Sequence, residues 1–222
     1  MGIMARNLKY NPPQSPLEII YIDSSIAVLN KPEGLLTVPG KPETNFDSLL
    51  VRLRKQVFGA LLVHRLDLHT SGVIVFARTA SSQVSLNKQF ERHETKKRYV
   101  ARVRGHLEHE EGEINLPIIV DWPNRPRQKI CFETGKKSVT HYKVIDREPQ
   151  NISRVELYPL TGRSHQLRLH MKAIGHPIIG DPLYADEATF KASNRMELHS
   201  YSLQINHPKT NTSKLFSIKV PF

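Results

Sequence analysis

Nine consecutive residues, 64–72, carry side chains suited to acid–base or nucleophilic chemistry. They read HRLDLHTSG and include two imidazoles, a guanidinium, two hydroxyls and the carboxylate of Asp67. Apolar sequence typical of a strand follows from Val73 to Ala77. A buried catalytic carboxylate needs a rigid element beside it and a cation that keeps it ionised, because burial alone would raise its pKa. Asp67 is therefore the first candidate for a nucleophile or proton acceptor.

Taken alone, Asp67 could equally be an N-cap or turn carboxylate, which is a common structural use of aspartate. Several other segments of the chain are similarly rich in polar and charged groups. Their presence favours a functional role for Asp67 over a purely structural turn. In chain order they read NKPEGL at 30–35, LYPLTGRSHQLRLH at 157–170, GD at 180–181 with YA at 184–185, and LHS at 198–200.

In their order and spacing, these segments resemble the motifs of the RluA-type pseudouridine synthases, which isomerise uridine within RNA. The resemblance covers about residues 18–220. It implies that the N1–C1′ glycosidic bond breaks, the uracil turns, and C5 joins C1′. This reaction needs no redox step and no external energy source, so no cofactor and no metal is expected. The resemblance leaves open whether the carboxylate attacks C1′, attacks C6 or removes a sugar proton.

The resemblance also implies roles for individual residues. Asp67 would be the catalytic carboxylate and Arg168 the cation that keeps it ionised, while Tyr99 would stack on the uracil. Arg65 would occupy the gap that the target base leaves when it flips out of its stack. The structural alternatives are a core tyrosine at position 99 and a surface ion pair at Arg65. We expect His64 and His165 to be structural hydrogen-bonding groups rather than proton carriers.

Positive charge is concentrated in two stretches of the chain, which has a formal net charge of +11. Residues 88–104 contribute +5 and residues 121–143 contribute +4. Concentrated positive charge attracts phosphate backbones through the release of counterions. We predict that RNA phosphates are bound by four residues of the second stretch, namely Arg125, Arg127, Lys129 and Lys136. A solvated basic face without a partner is the alternative.

Hydrophobic patterning predicts a fold of the α/β class (α+β type), with a mixed, largely antiparallel sheet flanked by helices. The expected helices are 46–57, with Thr44 and Asp47 as a capping pair, 80–93 and 164–174. The expected strands are 18–22, 26–30, 72–77, 98–104, 139–146, 154–159, 201–206 and 215–220.

Length and composition predict a short polar N-terminal arm over residues 1–17 and a single catalytic domain over 18–222. The short arm leaves no room for the S4-like RNA-binding domain of many relatives. We expect a cytoplasmic monomer whose partners are ribosomal RNA and transfer RNA loops, with no membrane and no nucleotide cofactor. The single cysteine, Cys131, cannot form an internal disulfide and fits a reducing compartment. A metal is not expected at the polar cluster of 106–111, which lacks a defined ligand frame.

Two other functions remain open at this point. An RNA-binding or ribosome-assembly factor that has lost catalysis on the same fold would carry the same basic charge. A nucleoside or nucleotide hydrolase using Asp67 would release free base, whereas an isomerase retains the base on the RNA.

Overall fold

The computed structural model describes residues 9–41 and 43–222. These residues form two compact units. We call Lys9–Lys97 with His199–Pro221 the N-terminal unit, and Arg98–Leu198 with Phe222 the central unit. Within the described ranges, no helix is both long and apolar enough to cross a membrane.

The N-terminal unit is built on β4, whose seven residues are all buried. β2 and β3 pair with β4 antiparallel, β11 pairs with it in parallel, and β1 and β12 extend the sheet antiparallel from β2 and β11. The strands are β1 (Glu18–Ile22), β2 (Ile26–Lys31), β3 (Leu61–Leu62), β4 (Ser71–Ala77), β11 (Leu198–Asn206) and β12 (Ser213–Ser217), and the helices are α1 (Leu49–Arg54) and α2 (Ala80–Glu91).

The central unit contains four long antiparallel strands in the order β5, β10, β9 and β6. β7 and β8 form a separate hairpin. Leu167 and Met171 of α3 join the core of this unit with Val155 and Leu157 of β10. The elements are β5 (Lys96–Arg104), β6 (Glu111–Asn115), β7 (Ile118–Val120), β8 (Gln128–Ile130), β9 (Val139–Glu148), β10 (Ile152–Pro159), α3 (Gln166–Ala173) and α4 (Glu187–Lys191).

The predicted fold class is confirmed, because the sheets are mostly antiparallel and are accompanied by few helices. Both ends of the first helix were predicted wrongly, since it ends at Arg54 rather than at Val57. It begins at Leu49 rather than at Phe46, and Ser48 is the N-cap, with its hydroxyl accepting a hydrogen bond from Val51 N. Phe46 is 58% exposed, and Thr44 lies in a 3-10 turn at Glu43–Asn45. The short strands β3, β6, β7 and β8 and the helix α4 were not predicted.

The predicted N-terminal arm is only partly described, since residues 1–8 lie outside the described residues. Residues 9–17 have no regular structure but are hydrogen-bonded to other residues of the N-terminal unit. The Tyr10 hydroxyl donates to Asp47 O at 2.7 Å, and Arg52 of α1 donates to Pro13 O at 2.7 Å. The boundary between an arm and a catalytic domain at residue 18 stays a prediction.

Candidate active site

Asp67 lies in an irregular segment between β3 and β4 and is partly buried. The residue before it, Leu66, is held on both sides of its peptide unit by one buried hydroxyl. Thr37 Oγ1 donates to Leu66 O at 2.8 Å and accepts from Leu66 N at 3.2 Å. A turn follows, in which Thr70 N donates to Asp67 O at 3.2 Å. The backbone that carries the carboxylate is therefore fixed by hydrogen bonds on either side of it.

Lys31, the lysine of the NKPEGL motif, has no exposed surface. Its ammonium donates to Pro32 O at 2.9 Å, Leu35 O at 2.6 Å and Leu68 O at 3.0 Å. Gly34 N donates to the same Leu68 carbonyl at 3.0 Å. A lysine ammonium has three protons to donate. The first motif thus holds the residue that follows Asp67, just as Thr37 holds the residue before it.

The TSG residues that open β4 are shaped for close contact with β11. Gly72 has φ +111°, and a Cβ there would lie 2.3 Å from Ser200 O, so a side chain is sterically excluded. Ser71 Oγ hydrogen-bonds His199 Nδ1 at 2.8 Å, and Ser200 Oγ donates to Val73 O at 3.0 Å. The TSG and LHS segments are therefore neighbours on the parallel strands β4 and β11, and hydrogen bonds from their side chains join them.

The His64 imidazole is expected to be uncharged at neutral pH. Burial lowers its pKa to about 3, and the positive charge of Lys97 adds to the shift. Its Nε2 accepts a hydrogen bond from Val75 N at 3.2 Å, and its ring stacks on Phe90 with centroids 4.5 Å apart. These contacts agree with the structural role expected from the sequence. The neighbouring Arg65 is exposed, so its predicted role at the gap left by a flipped base stays a prediction.

Arg168, in the first turn of α3, forms a buried ion pair with Asp181 in the central unit. Arg168 Nε and Nη2 each donate to one oxygen of the carboxylate at 2.8 Å, and the two side chains are 2% and 0% exposed. Burial alone would raise the pKa of Asp181, but Arg168 and the N–H groups of Leu183 and Tyr184 lower it below its usual range. The bidentate geometry fixes the plane of the guanidinium.

Tyr184 connects α3 to the hairpin of β7 and β8. Its ring centroid lies 5.2 Å from the Arg168 guanidinium carbon and 5.9 Å from that of Arg127. Its hydroxyl hydrogen-bonds His165 Nδ1 at 2.9 Å and accepts from Gln128 N at 2.8 Å. His165 has φ +55°, a strained conformation for a residue with a side chain, just before α3 begins. The structural role expected of His165 agrees with this contact.

Two more residues of the HQLRLH segment bind β9 rather than facing solvent. Gln166 donates to Val139 O and Thr140 Oγ1, both at 3.0 Å. His170 contacts Thr140 Oγ1 through Nδ1 and Leu116 O through Nε2, each at 3.0 Å. Alternate residues of the motif therefore fix the position of α3, with Arg168 between them.

Tyr99 is a partly buried residue of β5. It lies opposite Leu157 of β10 and packs against the core of the central unit. The strand thus determines the position of the tyrosine, and its stacking on uracil stays a prediction.

The four predicted RNA-binding residues differ in their surroundings. Arg125, Lys129 and Lys136 are exposed, whereas Arg127 is half-buried. Arg127 donates to Leu183 O through Nη2 and lies over the Tyr184 ring. Part of the function of Arg127 is therefore to anchor the hairpin.

The structure places Asp67 and Arg65 in the N-terminal unit, and Tyr99, Arg168 and the four basic residues in the central unit. Sequence reasoning missed the supporting residues, which are Lys31, Thr37, Gln166, Asp181 and Tyr184. All of them except Thr37 belong to the motif segments named in the sequence analysis. Membership of those segments was the sequence signal that could have identified them. Among the described residues, no group of three or more His, Cys, Asp or Glu side chains could hold a metal ion.

A family model described as RNA pseudouridylate synthase matches residues 25–173 of the chain. The solved structure of human RNA Pseudouridylate Synthase Domain Containing 1 has a similar fold, with a TM-score of 0.79 and 28% sequence identity. That similarity covers 96% of this chain and 87% of the human chain. The fold and the ordered motifs thus define an enzyme of the pseudouridine synthase class, which is a class of isomerases.

Comparison with curated bacterial proteins identifies the family within this class. A protein of Salmonella typhi named dual-specificity RNA pseudouridine synthase RluA is 50% identical over 214 residues, covering 96% of this chain and 98% of its own. The RluA of Escherichia coli K12 is also 50% identical, over the same shares of both chains. That of Haemophilus influenzae is 48% identical over 97% of this chain and 99% of its own. The chain therefore belongs to the RluA family of pseudouridine synthases.

Proposed function

We propose that this enzyme isomerises specific uridines in stem-loops of both ribosomal and transfer RNA, with Asp67 as the catalytic carboxylate. The immobilised backbone around Asp67 carries the proposal. Buried donors from Lys31 and Thr37 bind the carbonyls on either side of it. A turn carboxylate with no further role would not need such support. The range of substrates rests on the relatives whose name contains the words dual-specificity.

The proposed chemistry keeps the uracil on the RNA. Asp67 acts as an anion on the sugar or on the base, the N1–C1′ bond breaks, and C5 bonds to C1′ after the ring turns. The hydrogen on C5 leaves as a proton and N1 takes up a proton from water, so the product is an isomer of uridine. An anionic carboxylate in a dry site requires a nearby cation, and the family pattern assigns that task to Arg168. The ion pair with Asp181 supports this role because it orients the guanidinium before RNA arrives.

Other residues would hold the RNA during the reaction. A uridine must leave its stack to react, and this costs a few kcal/mol. Arg65, which is exposed, would fill the gap. Tyr99 would stack on the extruded uracil, because a stacking contact tolerates rotation of the ring. Exposed Arg125, Lys129 and Lys136 would bind phosphates, together with Arg127. We propose that the enzyme acts as a cytoplasmic monomer without a cofactor.

The test uses unmodified transfer RNA and unmodified ribosomal RNA fragments, each labelled with tritium at uracil C5. Isomerisation must expel that tritium to water, and nuclease digestion should then yield pseudouridine. We expect release from both RNAs. Free uracil in the digest would instead indicate a hydrolase. Tight binding to both RNAs without release would indicate a binding factor.

A further inference from the structure

The single tryptophan of the chain, Trp122, occupies the tip of a basic hairpin. We use that name for residues 118–137, which include β7, β8 and the 3-10 turn Trp122–Asn124. The Trp122 side chain is 64% exposed. Indole rings are large and apolar, so one left in water forgoes most of its hydrophobic stabilisation. Single exposed apolar residues are common, however, and further observations are needed to give this one a function.

The tip that carries Trp122 is rigid. Asp121 N donates to Arg127 O at 2.9 Å, and Arg127 N donates to Asn124 O at 3.0 Å. Asn124 donates to Asp121 through its backbone N–H at 2.9 Å and through its side-chain amide to the carboxylate at 3.0 Å. The indole is therefore held on an ordered turn, and little conformational entropy would be lost when a ligand binds it.

The hairpin is also anchored at its base. Arg127 donates to Leu183 O, and Gln128 N donates to the Tyr184 hydroxyl at 2.8 Å. Ile118 is buried with Tyr184 and with Leu169 of α3. The tip is thus connected to the helix that carries Arg168, and a ligand held there has a defined position relative to α3.

The charge around Trp122 favours an anionic ligand. Residues 118–137 contain five Lys or Arg and two Asp or Glu, a net charge of +3. The guanidinium of Arg125 lies 4.3 Å from the Trp122 ring centroid, in a cation–π contact. An aromatic face beside arginine in a basic groove is the combination that binds unpaired nucleobases, since the ring stacks on the base and the cations attract phosphates.

We propose that Trp122 and Arg125 form a stacking site for one unpaired nucleobase of the RNA, separate from the uridine that reacts. This inference rests on the proposed function in that it takes RNA as the substrate. Stacking accepts any base, so the site would add affinity and orientation without reading a sequence.

Trp122 provides its own reporter, because its emission is the only tryptophan signal of the wild-type protein. The protein is titrated separately with unmodified transfer RNA and with an unmodified ribosomal RNA stem-loop, while binding is followed by filter retention. Inorganic polyphosphate serves as a polyanion without bases. We expect quenching that saturates together with binding of at least one RNA, and no quenching by polyphosphate. Quenching by one RNA alone assigns the stacking site to that RNA.

Variants separate stacking from charge. Trp122→Ala should weaken binding of the quenching RNA roughly fivefold to a hundredfold, and Trp122→Phe should weaken it less. The control is Phe132→Ala, which removes another aromatic ring of the basic hairpin that is 76% exposed. This control should leave affinity unchanged.

Three results would overturn the proposal. They are RNA binding with no change in emission, equal quenching by polyphosphate, and an equal loss of affinity in Phe132→Ala and Trp122→Ala. Tritium release by the wild-type enzyme is measured in parallel. Release without quenching would reject the stacking site alone, whereas absence of release would reject the proposed function.

Discussion

At the scale of single residues, Lys31 explains how the segment that carries Asp67 can be rigid without regular secondary structure. A lysine with no exposed surface loses the hydration of its charge, and three backbone carbonyls replace the lost water. The third of these carbonyls belongs to Leu68, next to Asp67. One buried ammonium thus connects the first motif to the HRLD motif.

Replacement of Lys31 should strongly destabilise the folded protein. Lys31→Met keeps the apolar stem but leaves three carbonyls without their charged donor, and each such loss costs about 1–3 kcal/mol. We expect the free energy of unfolding in urea to fall by at least about 3 kcal/mol. The control is Lys209→Met, at an exposed lysine of the same unit, which should change it by less than about 0.5 kcal/mol. Equal stability of the two variants would contradict the role given to Lys31.

His64 should make stability depend on pH. The ordinary histidine pKa is 6.5, and burial lowers that of His64 to about 3. Between these values the unfolded chain binds more protons, so stability is lost as the pH falls from about 6.5. We expect His64→Gln to lose about 1 kcal/mol less per pH unit than the wild type in urea unfolding between pH 6.5 and 4.5. Gln can still accept from Val75 N, whereas His109→Gln, at an exposed site, should behave like the wild type.

The motif residues were visible in the sequence, but their partners were not. Arg168 and Asp181 are 13 residues apart, and nothing in their spacing indicates a buried bidentate pair. The sequence likewise offered Lys31 as part of a motif without showing that three carbonyls surround it. Such partners depend on how loops fold back, which local periodicity does not encode.

At the scale of elements, long buried strands were predictable because each carries a run of apolar or alternating residues. β4 and β2 are almost wholly buried, and both consist mainly of apolar residues, so their burial could be predicted from the sequence. The start of α1 was not predictable. Leu49 N and Leu50 N donate to Leu36 O and Thr37 O, so a tertiary contact decides where the helix begins. Short strands such as β7 and β8 have too few residues to show a period.

The contact between β4 and β11 should tolerate no side chain at Gly72. Gly72→Ala would place Cβ 2.3 Å from Ser200 O and would also hold alanine at φ +111°. The matched control is Gly175→Ala, at φ +90° with nothing within 4 Å, which isolates the conformational strain. We expect the control to lose about 1–2 kcal/mol of unfolding free energy and Gly72→Ala to lose clearly more or not to fold. A similar loss of unfolding free energy in both variants would show that β4 and β11 can move apart at Gly72 without an energetic cost.

At the scale of the whole molecule, the dominant feature is the excess of positive charge, +11 in 222 residues. The sequence located most of this charge in two stretches. The structure adds that one of the four chosen residues, Arg127, is partly committed to the fold. A clean test of phosphate binding should therefore use exposed lysines of the basic hairpin.

Replacement of Lys129, Lys136 and Lys137 by alanine should weaken RNA binding and flatten its dependence on salt. Each lost phosphate contact lowers the slope of log K against log salt by about 0.7 for single-stranded RNA. We expect a decrease of up to about 2 in filter-binding titrations between low and moderate salt. The control replaces Lys9, Lys55 and Lys209, which are exposed in the N-terminal unit and remove the same charge. An equal change of the salt slope in both variants would show that the basic hairpin is not part of the RNA interface.

The most direct test of the central claim is single-turnover tritium release from C5-labelled RNA by Asp67→Asn beside the wild type, with RNA affinity measured on the same samples. The substitution keeps the shape of the side chain and removes its charge. We predict a rate at least about a thousandfold lower, equivalent to about 4 kcal/mol in the barrier, with RNA affinity changed only a few-fold. Release at the wild-type rate, or a loss of affinity as large as the loss of rate, would contradict the assignment of Asp67 as the catalytic carboxylate.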